Sequence, residues 1–164
     1  MPSMDAPQPI ADRPRYPDEM ADVAAELDGI FRRTPMYAVL GIALVDWGLG
    51  WSVLELRPSP SMGNLAGSLH GGATFAVADA AFEVACNSYG RAAVALETTA
   101  HYHRPAPLDA PVTAEAWEIS RGHRTATYRL QVRDGDEVLT SYLALAYRTS
   151  RWHLPAERFP DGWG

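Results

Sequence analysis

Apolar residues recur at helical period in the first third of the chain, where Met20, Val23, Ala24, Leu27, Ile30 and Phe31 share one face. Acids stand at the front of this segment (Asp18, Glu19) and Arg32-Arg33 at its end, which suits the helix dipole. The pattern predicts a helix over 18–33, capped by Asp18 and ended by Thr34-Pro35. Two β-rich runs follow, 37–46 and 50–57, with Trp47-Gly48-Leu49 as a hairpin candidate between them. Pro58 and Pro60 stop the second. Residues 71–88 are then apolar nearly all round, with Phe75, Val77, Phe82 and Val84 set among alanines. Tyr89-Gly90 reads as the end of that helix.

The remainder is strand after strand. Residues 92–104 are β-branched and aromatic until Pro105, and 111–120 alternate. In 124–133, Ala126, Tyr128, Leu130 and Val132 fall on one side and Thr125, Thr127, Arg129, Gln131 and Arg133 on the other. Asp134-Gly135 is a hairpin signal. Residues 138–148 are apolar on both faces, as a strand inside a sheet would be. This order is α+β, with one mostly antiparallel sheet and one helix that must lie somewhere dry. Curling the sheet around that long central helix buries it, which is the geometry called a hotdog. A single domain is expected over 18–148. Residues 1–17, with five prolines and little apolar mass, read as a flexible arm, and 149–164 as a C-terminal tail.

Composition narrows the partners. A chain of 164 residues that is 47% hydrophobic suffices for one core. Its net charge of -6 argues against general affinity for nucleic acid, while leaving room for a local basic patch. The single cysteine, Cys86, excludes a disulfide framework and a cysteine-rich metal site. No apolar run approaches the ~20 residues that span a bilayer. The first residues lack a secretory pattern, so a soluble cytoplasmic protein is expected.

Candidate chemistry gathers on the apolar helix. It carries a carboxylate, Asp79, and is preceded by His70-Gly71-Gly72. The first turn of a helix has backbone N–H groups without intrahelical partners, together with partial positive charge. Glycine there lets a carbonyl oxygen approach closely, so the N–H of Gly71 or Gly72 is a candidate oxyanion donor. The plainer reading puts Asp79 with Glu83, four residues on, in a solvated helical stripe. His101 and His103 share a strand face but lack a spaced third ligand, so no metal is assigned.

The segment N-x-x-G-x-x-HGG-x-x-F-x-x-AD-x-AF-x-x-ACNS-x-G, with a following strand that ends in Arg104-Pro105, resembles the hotdog-fold acyl-CoA thioesterases of phenylacetate degradation. The resemblance covers about residues 36–148. It implies hydrolysis of acyl-CoA thioesters, aryl or arylacetyl among them, with coenzyme A as part of the substrate and no separate cofactor. It also implies a homodimer or homotetramer in which Asp79 acts as base or nucleophile on a thioester held by the neighbouring HGG turn. Eight residues at helical rise separate Gly71 from Asp79 by ~12 Å, so one helix cannot join them.

Asn64 then falls in the site as an orienting side chain, and His70 fixes the loop rather than serving as base. Arg104, with Arg121, His123 and Arg124 in a turn between strands, offers cations for the coenzyme A phosphates. Two other readings remain open at this stage. An enoyl-CoA hydratase can share the fold, though the nine residues from His70 to Asp79 suit it poorly. A non-catalytic acyl-CoA-binding domain would have no need of the acid.

Overall fold

The computed structural model describes residues 8–163. Asp18–Met20 forms a 3-10 turn rather than a cap, and helix α1 follows over Ala21–Arg32. Val23, Leu27 and Phe31 are its buried face, as the period requires.

The expected strand over 37–46 is half helix. Pro35–Leu40 forms a short helix, α2, with Pro35 in its first turn and Gly41 left-handed at φ 68° after its last. Tyr37, which reads as a strand residue, is instead buried against the long helix. Strand β1 begins only at Ile42 and runs to Gly48; β2 is Trp51–Leu56. Their turn is Leu49-Gly50, two residues beyond the expected start, where φ at Gly50 is 76°.

The long helix, α3, spans Gly71–Asn87. Strands β3 (Arg91–Tyr102), β4 (Val112–Arg121), β5 (Thr125–Asp134) and β6 (Glu137–Trp152) complete one six-stranded sheet in the order β1-β2-β4-β5-β6-β3. All its pairings are antiparallel. Strand β6 lies inside the sheet, as its two apolar faces require, and β3 is an edge. Irregular register in β1, β3, β4 and β5–β6 lets the sheet curve. It wraps α3, which buries Val77, Ala78, Ala81, Phe82, Val84 and Ala85 against it. The fold is the hotdog.

Both segments set outside the domain by sequence dock onto it. In the arm, the Pro14 carbonyl accepts from Leu49 N–H at 3.0 Å and from Trp51 Nε1–H at 2.7 Å. Arg13 is buried, pairs with Glu115 at 2.6 Å and, with Arg15, lies over the Trp51 ring. In the tail, the Phe159 ring stacks on Trp152 with centroids 5.0 Å apart and covers Gly90, where a Cβ would lie 2.1 Å from it. The first seven residues of the expected arm lie outside the described residues.

Candidate active site

The start of α3 is built to leave one donor over. Its first four N–H groups are 71 to 74. Ala73 and Thr74 N–H both donate to the His70 carbonyl, at 2.8 and 3.3 Å. Gly72 N–H donates to Nδ1 of the His70 ring at 2.9 Å, which makes His70 the helix cap. Only Gly71 N–H has no partner among the described residues. Its surroundings are fixed: His70 N–H donates to the Met62 carbonyl at 2.8 Å, and Leu69 N–H to Ala106 at 3.0 Å. Tyr102 lies across Gly71, so a Cβ there would sit 3.1 Å from the phenol ring.

Beside Gly71 opens a cleft of about 370 Å³ lined by Asn64, Ser68, Tyr102, Arg104 and Thr140. Asn64 holds the loop itself. Its Oδ1 accepts from Ala66 and Ser68 N–H at 2.9 and 3.1 Å, and its Nδ2 donates to Ser68 Oγ at 2.8 Å. Arg104 stands at the mouth in an exposed ion pair with Glu137, 2.7 Å.

Asp79 lies two turns further along α3, on an exposed stripe with Phe75 and Glu83. The expected neighbour relation with Glu83 is therefore real. Tyr37 O–H donates to Glu83 at 2.9 Å, tying α2 to this stripe. Although the stripe faces outward, protein atoms crowd both carboxyls. Burial pushes Asp79 above its ordinary 3.8. Burial also raises Glu83; the Tyr37 bond opposes this and the Asp79 charge adds to it.

The cations of the β4–β5 turn are elsewhere. Arg121 lies 3.9 Å over the Tyr89 ring, at the far end of α3, and pairs with Glu118 at 3.4 Å. His123 and Arg124 are exposed in the turn, where their carbonyls accept from Arg91 and from Arg148 N–H. One chain thus brings together Asn64, His70, Gly71, Gly72 and Arg104, and separates them from Asp79 and from Arg121, His123 and Arg124. Strand reasoning missed Tyr102 and Thr140, which face each other in the β3–β6 ladder. The only signal for them is that register, which no single strand carries.

Strand β3 has one unpaired edge and carries exposed Val94, Leu96 and Tyr102, with Leu143 and Tyr147 exposed on its β6 neighbour.

Comparison with known proteins agrees with this architecture. A family model described as "Thioesterase superfamily" matches residues 66–141. The acyl-coenzyme A thioesterase PaaI of Escherichia coli is 37% identical over 93 residues, 57% of this chain and 66% of that protein. The solved structure of the Escherichia coli PaaI protein, from the phenylacetic acid degradation operon, superposes with a TM-score of 0.75 at 27% identity, over 82% of this chain and 96% of that one. A mutant of the phenylacetic acid degradation protein PaaI from Thermus thermophilus gives 0.68 at 33% identity, over 70% of this chain and 99% of that one. The chain belongs to the thioesterase superfamily.

Proposed function

We propose that this thioesterase hydrolyses acyl-CoA thioesters, aryl or arylacetyl esters among them, at a site made by two copies of the chain. The observation that carries this reading is the spare N–H of Gly71, opening on a cleft at the positive end of α3. The thioester oxygen accepts from that N–H, and negative charge developing on it is stabilised there. A donor of this kind contributes about 2.7–4 kcal/mol to the transition state.

The second group is Asp79, supplied by the other protomer because ~12 Å of helix separates it from its own Gly71. Asp79 either takes a proton from the attacking water or attacks the carbonyl carbon itself. In the first case the water oxygen bonds to carbon, the C–S bond breaks and the proton ends on the thiol. In the second, an acyl-aspartyl anhydride forms as the thiolate leaves, and water then cleaves it. The open β3 edge and its apolar neighbours support association, in a dimer or a tetramer.

For the coenzyme A phosphates, Arg104 is the cation that borders the cleft, with Arg124 and His123 exposed and available. Arg121 is already committed to Glu118 and Tyr89.

Thiol release from a panel of aryl-, arylacetyl- and alkanoyl-CoA esters tests the reading. Wild type should turn over at least one class. Asp79→Asn should lose at least ~10²-fold in kcat, the low end for a positioned acid or base, with its oligomer intact. Wild-type turnover by that variant would refute the assignment.

A further inference from the structure

Behind the Gly71 turn, the structure holds two buried hydroxyls that complete no hydrogen bond among the described residues. Thr140 and Tyr142 are 1% and 2% exposed, and neither Thr140 Oγ1 nor the Tyr142 hydroxyl completes a hydrogen bond among the described residues. They stand two residues apart on β6, so both side chains face inward. Thr140 lines the cleft beside Gly71. The Tyr142 hydroxyl is near those of Thr140, Thr74 and Tyr102, yet none completes a hydrogen bond of good geometry with it. Thr74 Oγ1 commits its proton to the Gly71 carbonyl, to which it donates at 2.8 Å, and so has none to give Tyr142.

Buried polar groups in folded proteins are nearly always bonded, so two unbonded hydroxyls, one on the wall of the cleft and the other behind its Tyr102 lining, call for an occupant. The side chain opposite Thr140 in the β3–β6 ladder, Tyr102, is suited to yield. Tyr102 is 55% exposed, packs edge-on against Tyr142 at 6.3 Å and is held by one long bond, 3.3 Å, to the Gly71 carbonyl.

We propose that Thr140 and Tyr142 form a hydrogen-bonding subsite for an amide in the thiol portion of the substrate. This rests on the reading that the thioester oxygen lies at Gly71 N–H. A pantetheine thiol carries an amide two methylenes from its sulfur, close enough to the thioester to meet the wall behind Gly71. Two hydroxyls, each able to donate and accept, can serve both the N–H and the C=O of such an amide. The thiol arm then enters past Asn64, Tyr102 and Arg104, and the acyl group runs the other way, toward the stripe of the second protomer.

The test compares two esters of one acyl group: that of N-acetylcysteamine, which keeps this amide, and that of an alkanethiol of equal length, which lacks it. The quantity read is the ratio of their kcat/KM values. Wild type should prefer the amide-bearing ester. Thr140→Val and Tyr142→Phe should each lower that preference about three- to tenfold, the worth of one hydrogen bond, chiefly through KM. Urea midpoints should hold or rise, because each substitution removes an unpaired buried hydroxyl.

An unchanged preference in both variants would overturn the subsite. So would equal slowing of both esters with a lowered midpoint, which would mark the pair as holding a structural water only. If wild type cleaves neither ester nor any acyl-CoA, the underlying placement of the thioester at Gly71 fails instead.

Discussion

Gly71 and Gly72 are adjacent and chemically the same, yet only Gly71 keeps a spare N–H, because the His70 ring takes the other. His70→Ala should cost about 1 kcal/mol in urea denaturation, the worth of one cap bond, and leave two competing donors at the turn. At Gly71, which is not at positive φ, alanine should gain ~0.4–1 kcal/mol by narrowing the unfolded chain, and the Tyr102 ring it meets at 3.1 Å is exposed enough to shift. Gly71→Ala should therefore fold at least as stably as wild type while losing kcat, since the methyl and the displaced ring crowd the carbonyl site. Equal kcat in the two proteins would remove Gly71 from the site.

Asp79 gives a pH signature of defined sign. Burial raises its folded pKa, so the unfolded chain releases this proton first as pH climbs. Stability is lost from 3.8 upward and stays lost at neutral pH. Asp79→Asn should match wild type in urea midpoint below 3.8 and exceed it near neutrality, and the acid limb of wild-type kcat/KM should lie above 3.8.

Elements show where local pattern suffices and where it fails. The buried length of α3 was legible because its apolar residues run on every side but the stripe of Asp79 and Glu83, and β5 because it alternates without a break. Helix α2 was not legible. Tyr37 and Val39 favour strand by propensity, but Pro35 starts and Gly41 ends a six-residue helix whose Tyr37 hydroxyl reaches the Ala80 carbonyl and Glu83, contacts made 43 and 46 positions away. The free N–H of Gly71 depends likewise on a ring geometry at His70 that spacing cannot state.

The Ala85-Cys86-Asn87-Ser88 stretch at the end of α3 is a junction of four segments. Asn87 Oδ1 accepts from Ala93 N–H at 2.9 Å and lies 2.7 Å from His153 Nε2, while Asn87 Nδ2 donates to the Glu83 carbonyl at 2.9 Å. Ser88 Oγ accepts from Gly50 N–H at 2.8 Å, and the Ser88 carbonyl from the Tyr16 hydroxyl at 2.6 Å. Asn87→Leu should cost about 2–4 kcal/mol in urea denaturation, because at least two buried groups lose partners. Burial lowers His153 below its ordinary 6.5, so the fold resists its protonation. Stability should drop as pH falls through 6.5, and His153→Gln should flatten that part of the profile relative to wild type.

At the scale of the whole molecule, arm and tail act as straps over the α3 C-terminus, leaving β3 as the uncovered apolar edge. Leu96→Arg on that edge should shift the oligomer toward monomer in sedimentation and lower activity in proportion. A stable monomer with full activity would contradict a shared site.

The division of labour between protomers is tested most directly by complementation. Asp79→Asn supplies an intact Gly71 turn, and Gly71→Val supplies an intact Asp79. Co-refolded in equal amounts, the two inactive variants form mixed pairs in which one site of two is whole. Random pairing then restores about a quarter of wild-type activity from two-fold symmetry alone. Activity no greater than the sum of the two separate variants would show that Gly71 and Asp79 do not meet across the interface.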